Sequence, residues 1–250
     1  MKRVIDPCLA LMLLTMPVIA GAQTVPPAIT TALADPGRPA ADKERDAVRK
    51  PGELLAFAGI KPGDKVADFI MGSGYLTRIL AKTVGENGKV YAYQPAEFIQ
   101  YRAAYGTEQD TAVKGYANVV PSRESLGSVA FPEPLDAIIT VQNYHDLHLK
   151  MAPPGSAAFI TKRLYDALKP GGVFLVIDHV AATDPEFKAP DTLHRIDPAA
   201  ARKEIESVGF TFDGELPLLR NPADPHTASV FDASIRGKTD QFIYKFRKPK

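Results

Sequence analysis

The sequence predicts an α/β fold, a parallel sheet covered by helices on both faces, and three observations predict it. Short uninterrupted apolar runs alternate with segments of helical period. Glycine-rich joints separate them. The polar residues capable of chemistry gather at the carboxyl ends of the apolar runs. Strands buried on both faces read as continuous β-branched stretches rather than as apolar–polar alternation, and ligands of such sheets sit beyond the strand ends.

The elements follow in order. Lys2 and Arg3, the apolar run Leu9 to Ala20 and the small residues Ala20, Gly21 and Ala22 read as a secretory signal over residues 1–22, cut before Gln23. The run is short for a bilayer span, which argues against an uncleaved anchor. Residues 23–41, rich in Pro, Ala and Thr, read as a mobile leader. Asp42 to Phe57 reads as helical with a break near Pro51 and Gly52, and residues 42–250 are expected to form one domain.

Lys65 to Ala81 (KVADFIMGSGYLTRILA) is a strand ending near Asp68, a turn carrying Gly72 and Gly74, and a helix. Glycine lets the backbone turn and approach a ligand closely, and the helix start presents free N–H groups, so this is a cradle for a nucleotide or an anion. An ordinary strand-to-helix turn would look the same. Tyr75 and Thr77, on the first turn of that helix, are candidates to line the pocket. Gly88 to Tyr93 is a second strand, ending at Gln94, where a nucleotide site usually carries an acid for the ribose hydroxyls.

Leu135 to Val141 (LDAIITV) is a buried strand ending in Gln142, Asn143, Tyr144, His145 and Asp146. A helix over Ile160 to Leu168 leads through Lys169, Pro170, Gly171 and Gly172 into the strand Val173 to Ile177, which ends in Asp178 and His179. Asp197 and Pro198 have the form of an N-cap and first-turn proline for a helix running to Val208. Asn221 to Gly237 is a long polar loop of the kind that contacts substrates.

Asn143 to Asp146 is the densest chemical feature. His145 is the candidate general base because imidazole titrates near neutral pH, with Asp146 to orient it. The competing reading makes both residues helix caps. Tyr144, His179, His194 and Arg195 are candidates for holding an acceptor, the last two for an acidic group, against a solvated ion-paired loop. His145, His179, Asp146 and Asp178, with His148 nearby, have the ligand chemistry of a divalent metal, but their spacing matches no compact metal motif, and no metal ligand is assigned.

The 250 residues carry 30 Lys and Arg against 29 Asp and Glu, and removing residues 1–22 leaves the two signs equal, so nothing electrostatic favours nucleic acid or an anionic membrane as partner. The one cysteine, Cys8, lies in the signal, so no disulfide or thiol chemistry is expected afterwards. The expected location is periplasmic or secreted. The roughly 228 remaining residues suffice for one domain with a sizeable core.

The order VADFIMGSGY, a strand ending at Gln94, DAIITVQNYHD and LKPGGVFLVIDH resembles the class I S-adenosylmethionine-dependent methyltransferases, in particular exported bacterial members. The likeness runs from about Arg49 to Pro249, and LKPGG is its most specific piece. It implies a Rossmann-like three-layer sandwich with a seven-stranded, mostly parallel sheet whose last strand is antiparallel, Phe210 to Phe212 and Gln241 to Phe246 forming the closing pair. It also implies S-adenosylmethionine as cofactor, held by Asp68, Gly72, Gly74, Tyr75, Gln94 and Asn143, and a small-molecule or cell-envelope acceptor. Two residues depart from the pattern: Ile70 stands where the family has its first glycine, and Gln94 replaces a carboxylate. The alternative is a non-catalytic nucleotide or small-molecule binding protein that keeps the fold.

Overall fold

The computed structural model describes residues 24–150, 152–153 and 155–250. The signal read at residues 1–22 lies outside the described residues. The strands are β1 (Lys65–Phe69), β2 (Lys89–Tyr93), β3 (Val119–Ser122), β4 (Leu135–Val141), β5 (Leu168–His179), β6 (Thr211–Glu215) and β7 (Gln241–Arg247). Among the described residues they make one seven-stranded sheet in the order β3-β2-β1-β4-β5-β7-β6. The first five pair in parallel, and β7 runs antiparallel to both β5 and β6, as expected of the closing pair.

The side-chain period of two sorts the strand residues into two cores. Val66, Val90, Ile139, Leu175 and Ile243 share one core with α1 (Pro27–Leu33), α4 (Pro51–Ala58) and α5 (Tyr75–Val84). The short helices α2 (Ala40–Glu44) and α3 (Asp46–Arg49) join α1 to α4. The short helix α6 (Ala96–Tyr101) follows β2, and α7 (Ala104–Val113) leads to β3, with Ala112 in the same core. On the other face, Phe69, Tyr93, Ile138, Phe174 and Phe246 pack with Ile160 and Leu164 of α8 (Ser156–Ala167). Beyond the short α9 (Ala189–Leu193), Ile205 of α10 (Pro198–Ser207) joins that core. A sheet covered on both faces needs apolar residues at successive strand positions, which is why continuous apolar runs mark these strands. No helix of the described residues is long and apolar enough to cross a membrane.

Three expectations are corrected here. Residues 24–41 are no mobile leader: Ile29 and Ala32 are buried in the core, and α1 packs on α5 and α4. Gly52 permits that approach, since a Cβ there would sit 3.1 Å from Leu33. The segment Asp42 to Phe57 has the break expected near Pro51, at Lys50 with φ of 50°, and a second, unexpected one at Arg45, so that it makes three helices rather than two. The helix expected to end at Leu168 ends at Ala167, and Leu168 already pairs with Leu135 before a register shift that carries the Pro-Gly-Gly stretch. Elsewhere Asp197 caps α10 as its spacing predicts, its side chain accepting the Ala199 N–H.

Candidate functional site

A cavity of about 470 Å³ opens over the carboxyl ends of β1, β4 and β5, roofed by α3 and by the loop before β7. That volume is typical of a small-molecule site. Backbone strain collects around it. Ile70 at the end of β1 and Gln142 at the end of β4 have φ of 63° and 61°, and His194 nearby has 52°. A β-branched residue in the left-handed region is a true outlier, costing on the order of 1–3 kcal/mol. Ile70 thus adopts the backbone that a glycine would take there, and burial of its side chain in the core offsets the strain.

The two loop glycines have different tasks. Gly72 lines the cavity with φ of 56°, and a Cβ on it would meet nothing within 4 Å. Gly74, expected beside the cofactor, faces helix α7 instead: a Cβ there would overlap that of Ala112 and lie 3.1 Å from Met71 Cε. Gln94 is also turned from the cavity. It is fully buried, its Oε1 accepts the Gly72 N–H at 3.0 Å, and its Nε2 is buried without a partner among the described residues.

Asp68 lines the cavity, and its Oδ2 accepts the Thr77 hydroxyl at 2.6 Å. Burial pushes its carboxyl up to about 6, and among the described residues no cationic side chain pairs with it. The same cavity is lined by cations that lack a full set of anions among the described residues. Asp46 is engaged by both Nη atoms of the Arg38 guanidinium, at 2.7 and 2.8 Å, and by the Tyr75 hydroxyl at 2.7 Å. Arg45 and Arg49 stand over the Tyr75 ring, 4.9 and 5.4 Å from its centre. Arg49 makes no ion pair among the described residues, and its Nη2 donates only to Gln142 Oε1 at 3.2 Å. Burial, with Arg45 beside it, draws its pKa down to about 10, so it is still charged at neutral pH. Composition hides this pair, although their spacing of four residues puts them on one helix face.

The Asn143–Asp146 cluster divides. Asn143 lines the cavity and donates from Nδ2 to Asp146 Oδ2 at 3.0 Å. Tyr144 points away: it is fully buried and bonds Glu204 at 2.7 Å and Thr161 at 3.1 Å, so it cannot hold an acceptor. His145 does not line the cavity either. Its backbone N–H donates to Asp178 Oδ2 and its Nδ1 lies 2.8 Å from Asp178 Oδ1, with Asp146 Oδ1 3.4 Å from Nε2. Burial would lower its pKa, but Asp178 and then Asp146 override it and hold the ring at about 9. An imidazolium enclosed in this way is no free base at neutral pH, and its principal partner is Asp178, with Asp146 second.

His179 does reach the cavity, with Nδ1 2.7 Å from Thr239 Oγ1. Burial, the largest influence, pushes it down to about 4, leaving a neutral ring. Arg195, expected to take an acidic group, is spent on structure: fully buried, it pairs with Asp224 at 2.8 and 3.0 Å and donates to the Val180 and Ala228 carbonyls. It pins the loop of residues 221–237 to the sheet. His148 bonds Glu204 and stacks on Phe187, apart from the cluster. His194 packs edge-on to both His145 and the cavity residue Phe231.

No family model matches the chain. It is 32% identical over 125 residues to a protein-L-isoaspartate O-methyltransferase of Aeropyrum pernix, covering 50% of this chain and 42% of that one. It is 26% identical over 131 residues to the ubiquinone/menaquinone biosynthesis C-methyltransferase UbiE of Hydrogenovibrio crunogenus, covering 52% and 48%. The chain thus spans less than half the length of these curated relatives. A SAM-dependent methyltransferase from Aquifex aeolicus superposes with a TM-score of 0.56 at 20% identity, covering 88% of this chain and 96% of that one. The [4+2]-cyclase SpnF superposes with a TM-score of 0.58 at 16% identity, covering 88% and 91%. With sequence matches to two methyltransferases and a structural likeness over nearly its whole described length, the chain has the class I S-adenosylmethionine-dependent methyltransferase fold.

Proposed function

We propose that the chain is an S-adenosylmethionine-dependent methyltransferase acting on a small-molecule or cell-envelope acceptor. The observation that carries the reading is a charge pattern: among the described residues, a buried carboxylate with no cation, Asp68, and an arginine with no anion, Arg49, line one cavity together with Gly72. A zwitterionic amino-acid group answers both, its ammonium at Asp68 and its carboxylate at Arg49 with Arg45 adding to the field. The methionine part of the cofactor is such a group, and the open space above Gly72 leaves the backbone free to meet it.

When bound, S-adenosylmethionine supplies a methyl group that is already activated. The tasks left to this chain are alignment and exclusion of water. Gln142, Asn143 and His179 stand at the ends of β4 and β5 on the acceptor side, and the loop pinned by Arg195 and Asp224 walls off solvent. His179, neutral and without a hydrogen bond to Nε2 among the described residues, replaces His145 as the residue proposed to contact the acceptor. The signal read at residues 1–22 supports action outside the cytoplasm, on envelope or periplasmic molecules.

Calorimetric titration with S-adenosylmethionine and with S-adenosylhomocysteine tests the reading, because both carry the zwitterion. Arg49→Ala is expected to weaken both by ~10-fold, as loss of one charge-assisted contact costs about 1.5 kcal/mol or more. Absence of binding to either would overturn the assignment. Single-turnover transfer of labelled methyl into envelope extracts then decides between an enzyme and a binding protein, since tight binding without any transfer favours the latter.

A further inference from the structure

Beside the cavity, and outside the Asp68–Arg49 charge pattern, His145, Asp146 and His194 bring one ligand atom each within 4.8 Å of one another. The separations are 3.4 Å from His145 Nε2 to Asp146 Oδ1 and 3.9 Å from His194 Nδ1 to the same oxygen. A tetrahedral ion with bonds of about 2.0–2.1 Å holds its donors about 3.3 Å apart, so small side-chain movements close the set. None of these three atoms is hydrogen-bonded to another of them.

The supports around the three are those of a built site. The His145 ring is fixed because its Nδ1 lies 2.8 Å from Asp178 Oδ1, while the same carboxylate takes the His145 N–H. This turns Nε2 toward Asp146, and a dication bound there displaces the Nε2 proton to solvent and takes over the positive charge that Asp178 and Asp146 otherwise hold on the ring. Asp146 has its second oxygen occupied by Asn143 Nδ2 at 3.0 Å, leaving Oδ1 for an ion. A carboxylate behind a ligating imidazole and a hydrogen bond to a ligating carboxylate are the outer partners that fix metal ligands elsewhere. His194 ends α9 in a left-handed conformation, with its N–H donating to the Pro190 carbonyl, which brings its ring over the turn that carries His145 and Asp146. Sequence spacing conceals the set, because His194 is far along the chain from the other two.

We propose that His145 Nε2, Asp146 Oδ1 and His194 Nδ1 bind a divalent first-row transition ion, of which Zn²⁺ is the representative, with Asp178 and Asn143 as outer partners. Two imidazoles and one carboxylate disfavour Mg²⁺ and Ca²⁺, which take oxygen, and the absence of a thiolate disfavours soft ions. Three ligands leave at least one coordination position open. The partly exposed His194 is the side from which an ion enters. Asn143 and Phe231 each touch this cluster and also line the cavity, so the ion lies one side-chain layer from the acceptor side.

The test is calorimetry of the untagged full chain, stripped with a chelator, titrated with ZnCl₂ and separately with MgCl₂. One Zn²⁺ per chain is expected, with no Mg²⁺ binding at the same concentrations. His194→Ala, a partly exposed residue whose loss leaves both cores intact, should weaken Zn²⁺ by ~100-fold or more, beyond the 10- to 100-fold seen when only an outer partner is lost. His148→Ala, which touches Glu204 and Phe187, should not change it. Co²⁺ in place of Zn²⁺ should give visible absorption bands that His194→Ala removes. Absence of Zn²⁺ binding, unchanged affinity in His194→Ala, or equal losses in His194→Ala and His148→Ala would each overturn the site. The outcome is independent of S-adenosylmethionine binding, which is measured without metal.

Discussion

Asp68→Asn is expected to make the protein more stable and its cofactor binding weaker, two effects of opposite sign from one atom replacement. Asp68 is buried against Thr77, whose hydroxyl it accepts, and burial pushes its carboxyl from 3.8 up to about 6. A carboxyl whose folded pKa lies above its unfolded value leaves stability intact below about pH 4. Stability is then lost as pH rises toward 6, where the unfolded chain has ionised and the folded chain resists. A rise of that size corresponds to roughly 3 kcal/mol at neutral pH, since a tenfold change in proton affinity is worth about 1.4 kcal/mol. Urea unfolding at pH 7.5 should therefore show Asp68→Asn gaining up to about 3 kcal/mol, with the difference vanishing near pH 4. Binding follows the opposite course. An ammonium set against the carboxylate loses its charge partner in the variant, and breaking such a buried pair costs about 2 kcal/mol or more, close to 30-fold in Kd. For the parent, affinity for S-adenosylmethionine should rise with pH through about 6 and then level, because below that point a proton must first leave Asp68. A variant that is destabilised at neutral pH, or that binds the cofactor as tightly as the parent, would show that Asp68 already has a counter-charge and is not reserved for a ligand.

This stability cost also bears on which parts of the molecule are legible in the sequence. β1, β2, β4 and β5 announce themselves because both faces of each are covered, so their runs are largely apolar. β3 escapes detection, being a four-residue edge strand whose Pro121 suppresses the strand signal. α1 passes for a mobile segment because only Ile29 and Ala32 of it are fully buried, too few for a periodicity among prolines, alanines and threonines. The site is legible in place more than in detail. The polar residues do stand at strand ends, but which of them faces the cavity depends on partners far along the chain. Asp178 takes His145, Asp224 takes Arg195, and Glu204 takes Tyr144. A one-dimensional reading sees an imidazole or a guanidinium and cannot see the carboxylate that already engages it.

Gly74→Val is expected to destabilise the fold by about 2–5 kcal/mol rather than to affect only binding. Two costs combine. The φ of 79° places a β-branched side chain in the left-handed region, at about 1–2 kcal/mol. The new Cβ also overlaps Ala112 on α7, with Met71 Cε 3.1 Å away, and overpacking of a filled core costs typically about 1–3 kcal/mol. A domain with total stability of order 5–15 kcal/mol would lose a large share of it. The two contributions separate in the double variant Gly74→Val with Ala112→Gly, which removes the overlap but not the backbone strain and should recover only part of the loss. Gly72→Ala provides the contrast. Its Cβ meets nothing in the folded chain, so its cost should be confined to the φ of 56°, about 1 kcal/mol, while cofactor affinity falls because the methyl occupies the space above the loop. Urea midpoints and cofactor titrations on the four proteins decide the matter. If Gly74→Val keeps the parent's stability and loses only cofactor, then Gly74 and not Gly72 is the residue the ligand meets, and the partition of the loop into a ligand glycine and a packing glycine is wrong.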